Sequence, residues 1–307
     1  MTAASEGLSG VVHLRHGAYE ATIASVGASV RAFRHGGRDV FMPFDPDTTT
    51  LRYHGALLAP WPNRVMDGRY MLDGVEHRLP LSEPERGHAL HGLVADVDFA
   101  VVERRADMAT LVTRTAPQPG YPFAVDVEVR YRLDDDGLRT TVVATNRSQA
   151  PAPFGTGAHP WITIATGLAD AVLHAPATAL HEVHGERMRS GAVVDVPGWA
   201  DFREPRRLGD ARIDHAFTGL HAGDDAETTI RVVGRDGCGA ALRLGPDVRW
   251  LQLCTWDWAD AHERTAIAVE PMTCGPDAFN TGVDVALLPP GEPREWSWAY
   301  AAIEGAP

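Results

Sequence analysis

Residues 123–133, FAVDVEVRYRL, constrain the fold more than any other stretch of the chain. Phe123, Val125, Val127, Val129 and Tyr131 fall on one side of an extended backbone, and Ala124, Asp126, Glu128, Arg130 and Arg132 on the other. Period two marks a strand with one buried and one solvated face; helical spacing would scatter the same residues around an axis. DDDG follows, with Gly137 able to adopt a positive φ, and LRTTVVATN (138–146) returns rich in β-branched residues. The stretch predicts a β-hairpin whose apolar face needs a second layer to cover it.

Similar pieces recur along the chain. VVHL and YEATIAS flank His16-Gly17, RYMLDGVEHRL reads as two short strands around Asp73-Gly74, and FAVVERR leads toward ATLVTRT. TTIRVVGRDGCGAALRLG forms another pair around a glycine-rich turn, followed by VRWLQLCTW and REWSWAYAAI. Glycine and proline make up about a sixth of the 307 residues, which breaks the chain into short elements. No stretch of 12 or more residues keeps a helical period, no fixed repeat recurs, and no linker divides the chain. The expectation is one all-β domain over residues 1–307, a large antiparallel β-sandwich whose two sheets share one core.

Composition removes several function classes. A net charge of −13 disfavours nucleic acid and anionic membrane surfaces as partners but is compatible with a neutral ligand. Cys238, Cys254 and Cys274 are odd in number, widely spaced and without a C-x-x-C, so they form no disulfide framework. The first ten residues, MTAASEGLSG, have no charged and apolar leader pattern, and no apolar run approaches the ~18 residues of a membrane span. A cytoplasmic protein is expected. Phosphate-binding loops, dinucleotide fingerprints, H-E-x-x-H and G-x-S-x-G are missing. Three H-x-x-H spacings occur, His13/His16, His88/His91 and His181/His184, but residues three apart on a strand face opposite sides and chelate poorly. Neither a metal nor another cofactor is expected.

Five segments place polar residues beside prolines, glycines and bulky apolar groups: PWPNRVMDGRY (60–70), GHALHGL (87–93), GTGAHPW (155–161), RIDHAF (212–217) and AIAVEPMTCGPDAFN (266–280). Each lies at a predicted strand end or loop, where a rigid β scaffold presents its binding groups. The last sets Glu270 at the end of an apolar strand, although glutamate is seldom buried unpaired. Pro271 is expected to stop the ladder there and leave the acid facing a cleft. Taken one at a time, Arg64, His91, His159, Asp214 and Glu270 also read as ion-pair, core or turn residues, Glu270 as a partner of Arg64.

The ordered series N-R then G-R-Y, L-H-G, H-P-aromatic, D-H-A-F and E-P-M-T-x-x-P-D-A-F-N resembles the aldose 1-epimerase (galactose mutarotase-like) family, from about residue 10 to residue 303. The resemblance implies a twisted antiparallel supersandwich with a sugar site in a cleft on one sheet. It implies Glu270 as general base and His159 as general acid. It also implies His91 near the ring oxygen, Arg64 on sugar hydroxyls and Asp214 on a hydroxyl pair. The chain departs from the family at Trp161, where tyrosine is commoner, and at Leu93, where a second glycine is commoner.

Interconverting anomers needs one group to take the C1 hydroxyl proton and another to protonate the ring oxygen; a carboxylate and a histidine suffice, with no cofactor. Trp161, as a substrate-binding residue, and Trp61 and Phe279 with it, are candidates for the apolar face of the cleft. The expected partner is a small sugar and the expected state a monomer or weak homodimer. A sugar-phosphate epimerase using Arg86 and Arg34, a non-catalytic carbohydrate-binding protein, and a glycoside hydrolase with Asp214 as second carboxylate are the alternatives.

Overall fold

A computed structural model describes residues 10–44, 53–220, 227–260 and 262–305. The first nine residues, on which the leader reading depends in large part, lie outside that range. Among the described residues the only α-helix is the four-residue turn Ala278–Thr281, and no helix is long and apolar enough to cross a membrane. The predicted all-β class holds.

The hairpin that anchors the sequence reading forms as expected. Val125–Asp134 pairs antiparallel with Gly137–Asn146, in register from Val125↔Asn146 to Asp134↔Gly137. Asp135 and Asp136 make the two-residue loop, and Gly137 takes φ 107°. A Cβ there would come within 2.1 Å of the Tyr300 carbonyl oxygen, so the position needs glycine for space as well as for backbone. Phe123, Val125, Val127, Val129 and Tyr131 are all buried, as the period-two pattern predicts.

Two large sheets form the body. The nine-stranded sheet runs Ala100–Arg104, Met108–Thr115, Val125–Asp134, Gly137–Asn146, Pro293–Ile303, Gly239–Leu244, Thr228–Val233, Val172–His174 and Arg206–Arg207. The eight-stranded sheet runs Arg189–Asp195, Ala177–His184, Asp214–Leu220, Trp250–Thr255, Ala266–Met272, Gly157–Ala158 and Leu57–Leu58, with Trp161–Thr163 also paired to Ala266–Met272. A four-stranded sheet covers residues 11–39. One apolar cluster joins both large sheets: Val127, Val142, Ile230 and Leu242 from the first meet Leu180, Phe217, Leu251, Leu253 and Val269 from the second. The Tyr300 hydroxyl donates to the Val269 carbonyl oxygen across this core. Removing water from that shared face supplies the main stabilising force.

Pro271 does not stop the ladder. Ala266–Met272 continues through it, with Pro271 opposite Leu251 and Met272 opposite Trp250. The other side of that strand tolerates the proline because pairing there is interrupted: it covers Ala266 to Ala268 against Trp161–Thr163 and resumes only at Met272↔Gly157. The gap is occupied in sequence by Ala158, His159 and Pro160.

Candidate active site

Register alone assembles most of the site. Directly opposed residues of an antiparallel pair share a face. Trp161↔Ala268↔Cys254↔Asp214 therefore make one row across three neighbouring pairings. Glu270↔Gln252↔Ala216 make the next. The alternate residues, Val269, Leu253, Leu251 and Phe217, point into the shared core. The outer face of the eight-stranded sheet thus carries the polar residues. Two small apolar clusters flank them: Met42, Trp161, Trp256, Ala266 and Ala268, and Ala216, Trp250 and Met272.

Loops between residues 53 and 91 roof this face. Arg64–Val65 and Ala89–Leu90 pair as a short ribbon that sets Asn63, Arg64 and His91 over the sheet. Asn63 and His91 both have left-handed backbones, φ 55° and 59°, strain that persists only where surrounding contacts hold it. Those contacts exist. The His91 backbone N–H donates to the Asn63 carbonyl at 2.9 Å, and the Asn63 N–H donates to His91 Nδ1 at 3.1 Å. Gly92 follows at φ 79°, where a Cβ would come within 2.1 Å of the Ala59 carbonyl oxygen. His159 is clamped through its backbone, its N–H donating to Ala56 and its carbonyl accepting from Gly55. The result is a cleft of about 360 Å³ lined by Glu270, His159, His91, Arg64, Asp214 and Trp161, together with Gln252, Asn63, Tyr53 and Trp258.

His159 Nε2 lies 3.4 Å from Glu270 Oε1, and both residues are buried. Among the described residues His159 Nδ1 and Glu270 Oε2 have no hydrogen-bond partner. Burial pushes the Glu270 carboxyl well above its ordinary range, and the charge of Asp214 adds to this against the opposing Arg64 guanidinium. Burial, with His54 nearby, pushes His159 down to about 3. The two shifts act in the same sense: burial favours the protonated carboxyl of Glu270 and the neutral imidazole of His159. Burial also keeps His91 neutral. Its Nδ1 accepts a backbone N–H, so Nε2 carries the ring proton and serves as a donor.

Arg64 does not pair with Glu270. Its Nε and Nη2 donate to Glu83 at 2.7 and 2.9 Å, and Arg86 donates to the same carboxylate at 2.5 Å. Burial alone would raise Glu83, but the two guanidinium groups outweigh it and hold the carboxylate below its ordinary range. Two positions of the Arg64 fork are committed to Glu83, which leaves Nη1 for a ligand. Asp214 is also held: Gln252 donates to its Oδ1 at 2.7 Å and accepts from Asn63 Nδ2 at 3.1 Å.

All six sequence candidates, Glu270, His159, His91, Arg64, Asp214 and Trp161, line this one cleft. Trp61 and Phe279 do not; both belong to the main core, where they pack 5.4 Å apart, and Trp61 donates to the Ala89 carbonyl. Arg34 also lies elsewhere, paired with Asp39 on the four-stranded sheet. The H-x-x-H rings serve separate neighbours, such as Asp135 for His16, Asn63 for His91 and Ser190 for His181. No cluster of three or more metal-ligating side chains occurs among the described residues.

Sequence reasoning missed Glu83, Gln252, Tyr53 and Trp258. Gln252 carries the signal that exposed Glu270, a polar residue inside an apolar strand. Glu83 carries none, because its partners lie 19 residues back and three ahead on a loop.

The aldose 1-epimerase family model matches residues 10–301. YihR of Escherichia coli K12, a protein of uncharacterised activity, is 32% identical over 287 residues, covering 92% of this chain and 90% of that protein. Galactose mutarotase of Bos taurus is 29% identical over 184 residues, covering 56% of this chain and 52% of that protein. Two solved structures share the fold. A GalM/aldose epimerase homologue from C. elegans has a TM-score of 0.83 at 18% identity, covering 96% of this chain and all of that one. Galactose 1-epimerase from Lactobacillus acidophilus has a TM-score of 0.79 at 18% identity, covering 96% and 94%.

Proposed function

Because the chain belongs to the aldose 1-epimerase family, we propose that it interconverts the α and β anomers of a free aldose, with Glu270 as base and His159 as acid. The observation that carries the reading is the 3.4 Å approach of His159 Nε2 to Glu270 Oε1 in a buried cleft. The C1 hydroxyl oxygen and the ring oxygen are bonded to the same carbon, so two adjacent proton carriers can address both.

In the reacting form the pair is carboxylate and imidazolium. Glu270 takes the proton of the C1 hydroxyl, the C1–ring-oxygen bond breaks as C1=O forms, and His159 delivers its proton to the ring oxygen. The pair is then carboxylic acid and neutral imidazole, the state burial favours. The open-chain sugar is thus paired with the protonation state that burial favours, and the charged reacting pair is reached only by first moving the proton from Glu270 to His159. Rotation about C1–C2 and reversal of both transfers give the other anomer with no net proton change. His91 Nε2–H, Arg64 Nη1 and the Asp214 carboxylate are the groups that hold the sugar.

A free sugar is favoured over a phosphate. Arg34 is remote, Arg86 is tied to Glu83, and Glu83, Asp214 and Glu270 bring carboxyl groups to the cleft. The test is magnetisation exchange between anomeric protons of free aldoses by NMR, with polarimetry from a pure anomer. Catalysed exchange for at least one free aldose is expected. Exchange for none of them, or only for phosphorylated ones, would overturn the reading.

A further inference from the structure

The cleft does not end at Asp214. A second lobe of about 420 Å³ adjoins the first, and Arg86, Asp214, Cys254 and Trp258 line both. Beyond them it is bounded by Val183, Met188, Arg212, His215 and Asp257. None of these five has a part in the acid–base chemistry. We propose that the second lobe is a glycosyl subsite. The substrate is then a free-reducing-end disaccharide or longer saccharide, with its reducing unit between Glu270 and His159. The inference rests on the anomer-interconversion reading of the first lobe.

Three observations support a second sugar unit. The two lobes have similar volumes, about 360 and 420 Å³, which suits two units of similar size joined by one bridging oxygen. Charge in the second lobe is balanced. Its lining carries two guanidinium groups, Arg86 and Arg212, and two carboxylates, Asp214 and Asp257. These offer both donors and acceptors to hydroxyls. The third observation is aromatic. Trp258 is 38% exposed where the lobes meet and is braced edge-on by Trp256 at 5.0 Å and Trp161 at 5.7 Å. A sugar ring has an apolar C–H face and a polar rim, and a braced, half-exposed ring beside charges of both signs matches both. The bridging oxygen would pass between Asp214 and Trp258.

The experiment compares anomer exchange of free-reducing-end disaccharides with that of their reducing-end monosaccharides. It uses the wild-type chain and two variants, Arg212→Ala and Val183→Trp, the second of which fills the lobe. The expected result is kcat/KM about 10-fold higher for the best disaccharide, the gain of about one net polar contact plus ring packing. Both variants should reduce that ratio toward one and leave the monosaccharide value within about 2-fold. A wild-type ratio of one or less for every disaccharide overturns the proposal, as does a ratio that survives both variants. Tryptophan-fluorescence titration of Glu270→Gln gives a readout that does not depend on turnover. Tighter binding of disaccharide than monosaccharide, lost in the Val183→Trp background, upholds the subsite even if no sugar is turned over. Equal binding contradicts it even if monosaccharides are turned over.

Discussion

Glu83→Gln removes a charge that the sequence did not reveal, and its effect follows from the site's geometry. The substitution keeps the shape of the side chain but leaves Arg64 facing a neutral amide. The Arg64 and Glu83 side chains are only 10% and 5% exposed, so the ion pair is largely desolvated. Removing one member of a buried pair costs about 3–5 kcal/mol, because the other charge stays buried without compensation. Glutamine retains one acceptor oxygen, which puts the expected loss near the lower end, about 3 kcal/mol. At this chain length each kcal/mol lowers Tm by about 2 °C, so a fall of about 6 °C is expected. Arg64 Nη1 would lose its fixed direction, raising KM for the sugar about 5- to 100-fold with little change in kcat. Arg64→Met in the Glu83→Gln background should recover at least ~1 kcal/mol relative to the sum of the single losses, since no buried guanidinium is then left unpaired and Arg86, the other partner of Glu83, is 36% exposed. Thermal melts and steady-state kinetics of the single and double variants measure all three quantities. A Tm fall under about 2 °C with unchanged KM, or strict additivity in the cycle, would refute the claim that Glu83 holds Arg64.

The shifted pair sets the pH dependence. His159 is depressed to about 3 and Glu270 is raised well above its ordinary range, both by burial. kcat/KM should therefore show no limb at the ordinary glutamate value of ~4.3, and a limb there would contradict the burial of Glu270. The same shift has a stability consequence. A raised folded pKa gives stability that is full below the unfolded value near 4.5 and is lost as pH rises toward the folded value. Glu270→Gln should therefore gain in Tm on the wild type between pH 5 and pH 8, and a pH-independent difference would contradict burial as the cause. Activity should survive dialysis against a chelator, because the proposed mechanism draws both proton transfers from side chains; a loss restored by Zn²⁺ would redraw the site.

The hairpin at 125–146 was legible because one face of its sheet is solvated, so alternation survives in the sequence. Ala266–Met272 was harder: all seven residues are buried, with core on one side and the roofing loops on the other, and the alternation disappears. That double burial also hid the passage of the strand through Pro271. Glu270, His159, His91, Arg64, Asp214 and Trp161 were legible through short motifs. What bonds to each was not, since Glu83, Gln252 and Asn63 reach their partners through loop closure and cross-strand register. Trp61 and Phe279 show the converse. Aromatics beside functional motifs read as cleft residues, yet both anchor the loops from within the core.

The acid–base assignment is tested most directly by the kcat of Glu270→Gln on the free sugar that the wild type turns over fastest, with sugar binding measured on the same preparation. Glutamine fills the same space but cannot accept the C1 hydroxyl proton. The account predicts a fall in kcat of at least ~10²-fold with sugar Kd within a few-fold of the wild type. A fall of less than ~10-fold, with binding intact, would mean that the proton leaves by another route and that Glu270 is not the base.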